Sequence, residues 1–187
     1  MKACLKSMLC LLLGILLILG CSCSIYQERK TADPGYMDTR KKIIKAPRIR
    51  GTDEYEVYTV IVDIDNGDHV RTLACYADGT TEMYFSTGET YRKLHEGRSD
   101  ISEATLALMK GLETHIDAAI RLGRTELALP QAGMNKLYFV TDVGLYTMVI
   151  DPDQLASSAE GKQAVAALYT AVYDLAIEVC SPVEIQS

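Results

Sequence analysis

Six cysteines are the residues of this 187-residue chain best suited to covalent chemistry, and their spacing divides them. Cys4, Cys10, Cys21 and Cys23 crowd the start, while Cys75 and Cys180 stand far apart in the body. Cys21 has the most informative surroundings. Lys2 and Lys6 precede an apolar run from Met8 to Leu19, Gly20 follows, and polarity sets in with Ser22, Ser24, Gln27 and Glu28. A basic start, an apolar stretch of roughly 7 to 15 residues and small residues at the cut make a secretory signal. A spanning helix needs about 20 apolar residues. The run is short for that alternative, an uncleaved transmembrane anchor.

The string Ile18, Leu19, Gly20, Cys21 resembles the lipobox of bacterial lipoproteins, in which aliphatic residues and a small residue precede a modified cysteine. The resemblance implies that residues 1–20 are a signal peptide cut between Gly20 and Cys21. It also implies that the Cys21 thiol takes a diacylglyceryl group as a thioether and that the freed amine is acylated. Ile18 stands where the family more often has Leu. Cys23 is the poorer candidate, because Cys21 and Ser22 would then precede the cut. Each buried methylene contributes about 0.8 kcal/mol and one chain binds only marginally, so two or three chains make attachment effectively permanent. The implied location is the cell envelope, lipid-anchored and facing the periplasm or exterior. Ser22 is not the aspartate that the family uses for inner-membrane retention, which favours outward sorting.

The remaining residues point to no reaction. An exported chain permits disulfides, so Cys75, expected in a strand, and Cys180, expected just past a helix, could pair if those ends meet. They could equally stay separate buried thiols. The acidic loop Asp63, Asp65, Asn66, Gly67, Asp68 fails the EF-hand pattern, because Gly falls at position 5 rather than 6. His69, His95 and His115 are scattered without zincin spacing. No nucleophile elbow, Walker A loop or dinucleotide fingerprint is present. No catalytic residue, metal ligand or cofactor is assigned.

Charge is unevenly spread. Eight basic residues face three acids between Gln27 and Arg50, whereas from Gly51 onward nine basic residues face twenty-two acids. So acidic an exported body is not expected to bind nucleic acid, which needs a basic footprint. The basic stretch, with Pro34, Gly35, Pro47 and Gly51 among its charges, reads as a tether over residues 21–53. Beside a lipid anchor it could contact anionic headgroups, at roughly 1 kcal/mol per Lys or Arg near the surface. Of eleven tyrosines against two Phe and no Trp, most are expected to pack.

These residues need a scaffold, and residues 54–187 predict a single α+β domain. Tyr58, Val60, Val62 and Ile64 share one face of a strand, with Val57 and Ile61 on the other. Asn66–Gly67 predicts a tight hairpin with both turn residues at positive φ. Strands over Val70–Ala77 and Thr80–Ser86 follow, joined at Asp78 and Gly79. Asp100 with Glu103 predicts a helix start, and Ile101, Leu108, Leu112, Ile116 and Ile120 line a face that stops at Gly123. A second hairpin spans Lys136–Thr141 and Leu145–Ile150, and a helix runs from about Ala159 to Val179. The order βββαββα predicts an antiparallel sheet of about five strands with two main helices packed on it.

By element order this plan is similar to profilin-like and roadblock or longin-like domains, which commonly serve as docking platforms. The string Asp78, Gly79, Thr80, Tyr84, Phe85, Ser86, Thr87, Gly88, with Phe139, Thr141, Gly144, Tyr146 and Thr147, resembles a family of uncharacterised bacterial proteins over residues 55–179. That family brings no activity with it. The expectation is therefore a membrane-anchored, non-catalytic module that binds another envelope protein. The alternative is a small-molecule or ion binder using a pocket between sheet and helices.

Overall fold

A computed structural model describes residues 31–45, 56–123 and 128–181. Seven strands form one antiparallel sheet: β1 (Val57–Asp65), β2 (Val70–Tyr76), β3 (Thr81–Phe85), β4 (Thr90–Tyr91), β5 (Ile120–Leu122), β6 (Asn135–Thr141) and β7 (Gly144–Ile150). Their spatial order is β4-β3-β2-β1-β6-β7-β5. Three helices accompany them, α1 (Pro34–Ile44), α2 (Ser99–His115) and α3 (Glu160–Cys180), with short 3-10 turns at Ile116–Ala118 and Pro152–Ser157. The α+β class and the antiparallel sheet are as the sequence predicts. The strand count is not about five but seven.

The two extra strands have simple causes. Thr90–Tyr91 lies between the predicted third strand and the predicted helix start and pairs with Met83 and Tyr84 through its backbone, a fit that side-chain periodicity cannot show. The spacing predicts that Ile120 continues the α2 face. Instead α2 ends at His115, and the chain turns extended to pair with the open edge of β7. Ile120 is consequently 71% exposed rather than in the core. The helix start also differs. Its N-cap position is Arg98, without a side-chain cap, and Asp100 sits in the first turn bonded to the Arg98 guanidinium at 2.7 and 2.9 Å.

Alternation sorts the sheet residues onto two faces. Val60, Val62 and Ile64 of β1, Leu73 and Cys75 of β2, Met83 of β3, and Leu137 and Phe139 of β6 point to one side. There they meet Ile101, Leu108, Met109 and Leu112 of α2 and Val165, Ala166, Tyr169, Val172 and Ala176 of α3, both sets at helical spacing. Val57 joins this side although simple alternation assigns it to the other. The β1–β6 register shifts between Val57 and Thr59, and such a bulge re-aims the side chain. The helix α3 is long and apolar enough to cross a bilayer, but its buried stripe serves this core.

The opposite face is where the sequence expectation is most in error. The sequence predicts a tether over residues 21–53, yet Pro34–Ile44 within them is a helix lying across that face. Asp33 caps it by accepting from the Tyr36 N–H at 3.1 Å, Pro34 fits its first turn, and Lys41 and Lys42 complement the dipole at its end. Tyr36, Ile43 and Ile44 pack on Ile61, Ala74, Tyr84, Tyr138, Val140 and Leu145. The folded unit thus begins some twenty residues before position 54.

The first hairpin also departs from a two-residue turn. Asn66–His69 form the connection, closed by the Asn66 N–H on the His69 carbonyl at 3.0 Å. Among the described non-glycine residues only Lys93 has positive φ, so of the Asn66–Gly67 pair Gly67 alone, at +84°, is left-handed.

A candidate ligand cleft beside the end of α3

At the end of the sheet where α3 stops, strands β2, β3 and β4 and the helix leave an open cleft of about 430 Å³. Arg71, Phe85, Tyr91, Ile177 and Cys180 supply its floor and walls, with His69, Thr87, Glu89 and Ser181 around the rim. Register explains the grouping. Arg71 is opposite Phe85 across β2 and β3, and Met83 is opposite Tyr91 across β3 and β4, so their side chains share the helix-facing side.

A chain of polar contacts fixes the cationic wall. Arg71 donates through Nη1 to the Tyr173 hydroxyl on α3 at 2.8 Å and through Nε to His69 Nε2 at 3.2 Å. His69 Nδ1 lies 2.6 Å from Asp68 Oδ1. With Nε2 accepting from Arg71, the proton belongs on Nδ1 and is donated to Asp68. The Arg71 guanidinium carbon sits 5.7 Å from the Phe85 ring centroid, and Tyr91 meets that ring edge-on at 5.7 Å. The Glu89 carboxylate accepts from the Thr87 hydroxyl, which holds it below the usual carboxylate range.

This arrangement suits holding a ligand better than attacking one. The imidazole acceptor that a base would use is already taken by the protein's own arginine. Burial pushes the Cys180 thiol up to about 11, against the opposing pull of Arg71, so it stays protonated near neutral pH. A nucleophilic cysteine needs the opposite shift.

The second polar constellation lies under α1 on the other face. Arg40 donates to Asp63, and both side chains are wholly buried. Thr72 Oγ1 donates to Asp63 at 2.6 Å and accepts from the Tyr36 hydroxyl at 2.6 Å. The rings of Tyr36 and Tyr138 flank the guanidinium at 5.7 and 5.8 Å. Burial pushes the Asp63 carboxyl up, with Arg40 and Thr72 pulling it back. Desolvation would lower Arg40, but the Asp63 charge and the two tyrosines outweigh it, so the guanidinium stays charged. The arrangement fastens a helix to a sheet and offers no access to a substrate.

The residues singled out from sequence are dispersed. Gly20 and Cys21 lie outside the described residues. Cys75 and Cys180 are free thiols, so the disulfide considered for them is not formed. Cys75 faces α2 and is pushed up to about 12 by burial, with a hydrogen bond to Thr105 opposing. Cys180 instead lies 3.9 Å from the Met83 sulfur. Met83 pairs with Leu73, two positions along β2 from Cys75. The acidic loop is divided as well. Asp63 belongs to the buried ion pair, and Asp65 accepts from the Gly133 N–H at 2.6 Å. Among the described residues no three His, Cys, Asp or Glu side chains converge as metal ligands.

Nothing in the sequence marks Tyr173 or Arg40 as site residues, whereas Arg71 carries one signal. An arginine in a mostly apolar strand, as in Val70–Tyr76, must find partners off its own strand. Comparison of the chain with family models, with curated proteins and with solved structures finds no match in any of the three.

Proposed function

We propose that this chain is a bacterial lipoprotein held in the cell envelope by acyl chains on Cys21, with a domain that binds another envelope protein without chemistry. The observation that carries the reading is the leader: Lys2 and Lys6, the apolar run, and Gly20–Cys21 at its end. The fold adds support. Only residues 22–33 separate Cys21 from α1, a reach of at most about 40 Å. The Asp33 N–H donates to the Ser86 carbonyl at 2.9 Å, so the chain enters the domain beside Thr87 and Glu89 at the cleft rim. On this reading the cleft lies within the tether's reach of the bilayer. Arg40 is committed to Asp63, which leaves Lys41 and Lys42 on α1 and Lys45 just past its end exposed to meet anionic headgroups.

Metabolic labelling with a palmitate analogue tests the anchor. Wild-type protein is expected in the membrane fraction carrying label, and Cys21→Ala unlabelled and displaced from it. Label retained by the variant overturns the assignment. Cross-linking in intact cells tests the partner: a specific adduct is expected, and recovery of the protein alone under conditions that preserve weak complexes counts against it.

The cleft favours a second reading, a small-molecule binder. Its volume falls in the range of ligand sites, roughly 300 to 1,000 Å³, and its apolar walls with a few placed polar groups match their usual lining. A ligand that co-purifies and raises the melting temperature on its return is the expected result.

A further inference from the structure

Arg71 is a half-buried guanidinium whose partners are all neutral: the Tyr173 hydroxyl, the His69 imidazole and the Phe85 ring. Among the described residues no carboxylate lies within ion-pair distance of it. The nearby acids are engaged elsewhere, Asp68 with His69 and Glu89 with Thr87. Withdrawing a cation from water is costly unless an opposite charge answers it. The Tyr173 and His69 contacts hold the guanidinium in one orientation, and a fixed guanidinium edge matches a planar carboxylate. Around it the cleft is apolar, with Phe85, Tyr91 and Ile177 presenting ring and aliphatic surface.

We infer that this cleft binds a small carboxylate with an aromatic or branched-aliphatic body. Its carboxylate meets the guanidinium edge of Arg71 left over by His69 and Tyr173, and its body lies against Phe85, Tyr91 and Ile177. The inference rests on the second reading above, that the cleft takes a ligand, and is independent of any lipid on Cys21.

Calorimetric titration of the purified full chain in detergent with 3-phenylpropionate and with its uncharged amide tests this. The acid is expected to bind saturably and at least about tenfold more tightly than the amide. Arg71→Gln is expected to abolish that preference. Arg71→Lys keeps the charge and loses the fork, so it retains a reduced preference even if the Gln variant fails to fold. Tyr91→Ala, at a wall position that is 38% exposed, weakens acid and amide by the same factor. Equal binding of acid and amide to wild type overturns the inference and leaves the ligand reading standing. Failure of both to bind at millimolar concentration overturns both. A pentapeptide ending in phenylalanine that binds far more tightly than the acid replaces a small ligand with a peptide terminus.

Discussion

Arg40 on the first helix and Asp63 in the middle of the sheet form an ion pair with both side chains at 0% exposure. The pair joins a segment that looks like tether to the strand at the centre of the fold. Its energetics are asymmetric. Removing one partner strands a charge in the interior, at a typical cost of about 3 to 5 kcal/mol, whereas replacing both with apolar residues of similar volume is often neutral or stabilising by about 1 to 4 kcal/mol.

Arg40→Met is therefore expected to lower stability by about 3 to 5 kcal/mol, and the double change Arg40→Met with Asp63→Leu to return it to the wild-type value or above. Urea unfolding of the three proteins measures this. A single variant as stable as wild type would mean that α1 does not dock in solution.

The same contact predicts where the domain can be cut. A chain beginning at residue 54 leaves Ile61, Ala74, Tyr84, Tyr138, Val140 and Leu145 uncovered, a contiguous apolar patch of the kind that drives association. A chain beginning at residue 31 retains the cover. Only the shorter one is expected to bind a hydrophobic dye and to form oligomers in size-exclusion chromatography. Equal behaviour of the two would remove α1 from the core.

What could be read in the sequence follows from what generates each element. The strands Val57–Asp65, Val70–Tyr76 and Asn135–Thr141 and the helix Glu160–Cys180 carry their own periodicity, so local pattern and tertiary packing agree. Helix α1 does not. Its buried set is Tyr36, Arg40, Ile43 and Ile44, and a charged residue in the middle of an apolar stripe hides that stripe from any hydropathy count. Ile120 departs from expectation for the opposite reason: helical spacing continues in the sequence after the backbone has left the helix to satisfy the β7 edge. The cleft was illegible because Arg71, Tyr91 and Ile177 come from three separated segments, brought together only by register.

Two turn glycines give a matched test of the local geometry. Gly67 and Gly79 have nearly the same φ, +84° and +85°, but a methyl at Gly67 meets nothing within 4 Å while one at Gly79 would lie 2.4 Å from Ser102 Oγ on α2. Left-handed backbone costs a non-glycine residue about 1 to 2 kcal/mol. Gly67→Ala is expected to lose about that much. Gly79→Ala is expected to lose more, and Ser102→Ala in the same chain to recover only the excess. Thermal unfolding of the three variants and wild type reads the difference. If Gly79→Ala costs no more than Gly67→Ala, the Ser102 hydroxyl turns away from the added methyl without cost.

The thiols carry a pH dependence whose sign is fixed by burial. Only thiolate is alkylated, and burial disfavours the charged form, so a raised thiol pKa means slow reaction at low pH. Cys180, pushed up to about 11, has on the order of one part in a thousand as thiolate at pH 8, against about a quarter for an ordinary cysteine of pKa near 8.5. Its modification by iodoacetamide should rise about tenfold per pH unit between 8 and 10. Cys75, pushed up to about 12 and with no exposed surface, should react only when the protein unfolds. Peptide mapping by mass spectrometry after timed alkylation separates the two sites. Alkylation of Cys180 at pH 8 as fast as in urea would show a thiol open to solvent, and a Cys75–Cys180 disulfide in unreduced protein would require α3 to end two residues away along β2 from where Met83 now meets it.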